Sequence, residues 1–79
     1  MGQPSSPKVE VTIRIEKAEA GHFDEIVRAL GQAGLAEVQP HPRILIVNGA
    51  IGQAKLDALQ RVPGVASVRV DQRYRPQGG

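Results

Sequence analysis

Cysteine is absent from all 79 residues, which excludes disulfide scaffolds, zinc fingers, iron–sulfur centres and thiol nucleophiles. Aromatic residues are nearly as scarce, with no tryptophan and only Phe23 and Tyr74. A module that stacks nucleic-acid bases on aromatics of its central strands therefore lacks its platform, despite a pI near 9.5. Serine occurs three times, as Ser5, Ser6 and Ser67, and two of these fall in the N-terminal stretch, so a Ser-His-Asp triad is not expected. The two histidines, His22 and His41, form no H-x-x-x-H pair and have no cysteine to help them, so no metal site and no cofactor are expected. The glycines at 49 and 52 lack the Lys-Ser/Thr that a phosphate loop needs and read as turn residues.

Length removes other classes. A chain this short buries only about 60% of its unfolded surface, which leaves room for one core. A Schiff-base aldolase requires a buried lysine, typically in a barrel of about 250 residues. Lys8, Lys17 and Lys55 all fall on expected wet faces, and the carboxylates are spread over surfaces without forming an acid–base pair, so no enzymatic activity is expected. With 41% hydrophobic and 23% charged residues the composition is that of a compact soluble domain. Residues 1–7 are polar and rich in turn formers, with none of the apolar run of a signal peptide, so the default expectation is cytoplasmic with no membrane association. The net charge of +2 is uneven, at −2 over residues 1–40 and +4 over residues 41–79. Arg69, Arg73 and Arg75 carry part of that excess and read either as a solvated edge or as a site for an acidic partner.

Residues 8–16 alternate strictly, with Val9, Val11, Ile13 and Ile15 on one face and charged residues or Thr12 on the other, which predicts a strand with one wet face. Phe23, Ile26, Val27 and Leu30 then fall at i, i+3, i+4 and i+7, predicting an amphipathic helix over residues 21–33 with Gly34 at a left-handed cap. Asp24 and Glu25 in its first turn complement the helix dipole. Residues 35–38 read as a short edge strand, followed by a turn at Gln39, Pro40, His41 and Pro42. Ile44, Leu45, Ile46 and Val47 in a row predict a central strand over residues 43–48. Asn48, Gly49 and Gly52 break the chain, and Leu56, Leu59 and Val62 mark a second helix over residues 53–62. After Pro63 and Gly64, residues 65–71 read as a fourth strand, with Val68 and Val70 opposite Ser67, Arg69 and Asp71.

The order is βαββαβ. Two right-handed βαβ crossovers sharing one sheet predict an α+β ferredoxin-like plait: a four-stranded antiparallel sheet, two helices on one face, and strands one and three at the centre. The domain is expected over residues 8–75, with tails at 1–7 and 76–79. On the open face, Glu10, Thr12 and Arg14 are expected beside either Ile44 and Ile46 or Leu45 and Val47, an apolar strip that could hold a partner, including a second copy in a homodimer. The plait also hosts small regulatory, amino-acid-binding domains of the ACT type, and the Gly31 and Gly34 region permits that reading.

Three stretches carry a more particular likeness: Val47-Asn48-Gly49-Ala50-Ile51, then Leu56-Asp57-Ala58-Leu59, then Val62-Pro63-Gly64-Val65-Ala66-Ser67-Val68-Arg69-Val70-Asp71. Together they resemble the propeptides of subtilisin-like serine proteases and the free-standing inhibitors related to them, whose closing G-V-x-x-V-x-x-D is matched by Gly64, Val65, Val68 and Asp71. The resemblance implies the same plait and a binding mode. The open sheet face would pack on two surface helices of a subtilisin-like protease, acidic groups near the fourth strand would cap those helices, and the C-terminal segment would lie in the substrate cleft. Carried across, Asp71 is a capping carboxylate and Gln72, Arg73, Tyr74 and Arg75 fill the cleft. This chain departs from the pattern at Arg69, where many members carry an acidic residue, and in a tail that continues past Tyr74 to Gly79.

Overall fold

The computed structural model describes residues 8–71. Strand β1 (Lys8–Ile15) leads through a 3-10 turn (Lys17–His22) into helix α1 (Phe23–Gln32), and strand β2 (Ala36–His41) returns beside β3 (Ile46–Gly52). A further 3-10 turn (Gln53–Lys55) runs into the short helix α2 (Leu56–Gln60), and β4 (Val65–Asp71) closes the sheet. The order is β2-β3-β1-β4 with every neighbouring pair antiparallel. Each helix therefore links two parallel strands that have a third lodged between them. That is the split βαβ arrangement of the expected ferredoxin-like plait, with β1 and β3 at its centre.

Position in the sheet follows from apolar content. The largest fully buried side chains are Val11 and Ile13 of β1, Leu30 of α1, Val47 and Ile51 of β3, and Leu59 of α2, so each of these elements contributes to one core. Burying a side chain of this kind is worth roughly 1.5 to 3 kcal/mol, and the central strands gather the most of it. Phe23, Ile26 and Leu30 form the stripe of α1 that meets the sheet. That helix ends in a Schellman motif: the Gly34 N–H donates to the Gly31 carbonyl and the Leu35 N–H to the Leu30 carbonyl, both at 3.1 Å, with Gly34 at φ +117°. The positive φ lets the chain reverse at once, so that Leu35 is buried in the same core as Leu30.

Several boundaries differ from the sequence expectation. Helix α1 starts at Phe23, because residues 17–22 form a 3-10 turn, and α2 stops at Gln60. Pro40, read as a turn residue, lies within β2 opposite Val47; an edge strand can lose one ladder donor and still pair. The central strand is displaced along the chain, spanning Ile46–Gly52 where 43–48 was expected. Pro42 opens a 3-10 turn (Pro42–Ile44), Leu45 adopts φ +56°, and its carbonyl accepts from the Ile15 N–H at 2.9 Å. Ile44 is left 63% exposed.

Asn48 and Gly49 thus form the middle of a strand and do not break the chain. Gly49 is required there for its lack of a side chain, since a Cβ would lie 2.8 Å from both the Ala36 carbonyl oxygen and the Leu35 Cγ. Beside it, Glu37 and Val38 oppose the single residue Gly49, a β-bulge in which Glu37 takes φ +52°. Lys8, Lys17 and Lys55 are exposed as expected.

Candidate functional site

The strand registers write the open face of the sheet as three rows, each crossing β2, β3, β1 and β4 in turn. One row is Ala36, Ala50, Glu10, Asp71; the next is Gln39, Asn48, Thr12, Arg69; the third is His41, Ile46, Arg14, Ser67. Side chains paired across an antiparallel sheet point to the same side, so these twelve residues share the face that the helices leave uncovered.

The expected apolar strip is not there. The shift of β3 sends Val47 and Ile51 into the core and brings Asn48 and Ala50 to the open face, where Ile46 is the one large aliphatic residue among the twelve. At the centre of the face the Asn48 amide donates to the Thr12 hydroxyl oxygen at 3.0 Å, a partly buried bond that ties the two central strands. Charge is graded along the strands. Glu10 and Asp71 are side by side in the first row, and Arg14 and His41 occupy the third.

Above the acidic row is a shallow depression of about 200 Å³ whose lining includes Glu10, Glu37, Asp71, Thr12, Gln39 and Asn48. Its lining among the described residues holds three carboxylates and no cationic side chain, a surface whose charge complements a positive partial charge such as a helix N-terminus or an ammonium group. Among the described residues no group of three His, Cys, Asp or Glu side chains is placed to hold a metal ion. His22 is engaged elsewhere, with its Nδ1 3.2 Å from the Glu19 Oε1 at the protein surface. None of the described residues belongs to a helix long and apolar enough to cross a membrane.

Of the residues singled out from the sequence, Arg69 and Asp71 both lie on the open face, in adjacent rows of β4, and are exposed. Gln72, Arg73, Tyr74 and Arg75 fall outside the described residues. Sequence reasoning missed Glu37 and the neighbour relation of Glu10 to Asp71. The first depends on a bulge and the second on the β1–β4 register, and neither leaves a local pattern in the chain. No protein-family model, curated protein or solved structure matches this sequence.

Proposed function

We propose that the chain is a non-enzymatic protein-binding module of the subtilisin-propeptide and inhibitor type, docking on a subtilisin-like serine protease through the open face of its sheet. The observation that carries this reading is the first row of that face. Glu10 and Asp71 stand side by side at the end of β4, the point from which the chain continues to Gln72. A pair of carboxylates in a polar, helix-free surface is matched by the positive ends of helix dipoles, each such contact being worth typically 0.3 to 1 kcal/mol. The segment 72–75 leaves from the same place, so a partner that presents helix N-termini to the carboxylates would receive the tail alongside. An extended tail in a cleft gains affinity from main-chain hydrogen bonds, and its side chains supply specificity. Within this reading the protein is an inhibitor or a folding aid for the protease.

The test is inhibition of a panel of subtilisin-like proteases by the full chain and by a version ending at Asp71. The full chain is expected to inhibit at least one member at micromolar concentration, and the truncated chain to melt normally while losing the inhibition. Equal inhibition by both would remove the tail from the mechanism, and no inhibition by either would remove the proposal.

A further inference from the structure

Asn48 is the single asparagine of the chain, and a glycine follows it. In a flexible peptide that pair is chemically unstable. No Cβ shields the glycine N–H, so its nitrogen readily reaches the side-chain carbonyl carbon of the asparagine, a thermolabile residue. Here the pair lies in the middle of β3, with a strand on either side. Asn48 is opposite Thr12 of β1 and Gln39 of β2, and Gly49 is opposite Val11. Closing a ring between the two residues requires ψ of Asn48 to leave the extended value of about +135° that a strand holds, a rotation that would break the ladder on both sides. The side chain is restrained as well, since its amide donates to the Thr12 hydroxyl oxygen at 3.0 Å. The fold cannot relieve the lability by replacing the glycine, because a Cβ there would lie 2.8 Å from both the Ala36 carbonyl oxygen and the Leu35 Cγ.

We propose that Asn48-Gly49 is a self-modification site that the sheet holds closed, so that the chain converts to an aspartyl or isoaspartyl form only when β3 opens. In the open chain the Gly49 nitrogen gives up its proton and bonds to the Asn48 Cγ. The bond from Cγ to the side-chain nitrogen breaks, and that nitrogen takes up a proton and leaves as ammonia. Water then opens the cyclic imide at one of two bonds. Cleavage between the ring nitrogen and Cγ gives aspartate; cleavage between the ring nitrogen and the backbone carbonyl carbon of residue 48 gives isoaspartate, whose main chain runs through the former side chain. The net reaction consumes one water and releases one ammonia, with no oxidation or reduction. The two products differ in fate. Aspartate keeps the backbone intact and accepts where the amide donated, and the Thr12 hydroxyl, a donor as well as an acceptor, supplies the hydrogen. Isoaspartate adds one carbon to the main chain in the middle of β3, which puts the residues beyond it out of step with both neighbouring strands. Each opening of β3 thus risks a change that the isoaspartyl chain cannot reverse by refolding.

No protease takes part, so the test is independent of the inhibition assay. The full chain is incubated at mildly alkaline pH with and without strong urea, and the tryptic peptide of residues 44–55 is fragmented in a mass spectrometer to follow the change from amide to acid at position 48. The native chain is expected to react at least about tenfold more slowly than the chain in urea. Thr12→Val and Gly34→Val should both quicken the reaction without urea, in proportion to the unfolded fraction that urea titration gives for each, although Gly34 belongs to the end of α1 and not to β3. The isoaspartyl chain purified from urea should show no native melt once the urea is removed, whereas Asn48→Asp should keep a cooperative one. Equal rates with and without urea, destabilised variants that react no faster than the parent, or an isoaspartyl chain that melts as the parent does would overturn the proposal.

Discussion

Gly49→Ala isolates the steric demand that sets the centre of this sheet. The added Cβ would sit 2.8 Å from the Ala36 carbonyl oxygen, 2.8 Å from the Leu35 Cγ and 2.9 Å from the Leu35 Cδ1. One obstacle is the backbone of the neighbouring strand beside its bulge, and the other is a core side chain only 5% exposed, so neither can swing away cheaply. Overpacking of this kind costs about 1 to 3 kcal/mol, against which the alanine restricts the unfolded chain and returns about 0.4 to 1 kcal/mol. Gly31→Ala is the matched control. It gains the same unfolded-state term on an exposed turn of α1, where a Cβ meets nothing within 4 Å. The difference between the two variants is therefore the steric term alone. At about 4 to 8 °C per kcal/mol for a domain of this size, Gly49→Ala should melt roughly 5 to 20 °C below Gly31→Ala, and Gly31→Ala should melt slightly above the parent. The assay is thermal unfolding followed by circular dichroism, with urea titration to verify that the m-value is unchanged. A Gly49→Ala protein that melts with or above the parent would refute the placement of Leu35 and of the β3 register.

Two further substitutions probe the elements around this strand. Gly34→Val should lower stability by about 1 kcal/mol or more, because φ +117° lies where a β-branched residue is strained; an unchanged melt would contradict the Schellman ending of α1. Thr12→Val should cost about 1 kcal/mol in urea titration by leaving the Asn48 amide without its acceptor, and Asn48→Ala in that background should cost much less than it does alone.

Strand β1 was legible because alternation is a property of consecutive residues, and β4 because Gly64 and three spaced valines mark its start and inner face. The two helices were legible as stripes, though the 3-10 turns before each of them left no periodic trace. Strand β3 was misread for a specific reason. Four consecutive aliphatic residues suggested a buried strand and Asn48-Gly49 suggested a turn, and both local signals are overridden by one tertiary fact, the approach of Leu35 to Gly49. The shift along the chain also made the open face polar: Ile46 lies on it, but Ile44 falls in the 3-10 turn before the strand and Asn48 and Ala50 take the positions that follow. Arg69 and Asp71 could be nominated from a pattern in one strand. Their relation to Glu10 and Glu37 arises only when β1, β2 and β4 are set in order.

Arg69 tests the orientation in which β4 would meet a protease. On the open face it lies one row from the Glu10 and Asp71 pair, where a partner helix would present the positive end of its dipole. Arg69→Glu removes a repulsion and adds an attraction, each of roughly 0.3 to 1 kcal/mol, so inhibition of a responsive protease should tighten by about threefold to thirtyfold, less at high salt. Adding Asp71→Arg deletes the capping carboxylate, so inhibition should weaken again. An Arg69→Glu protein that inhibits less than the parent would refute the orientation in which β4 approaches the protease helices.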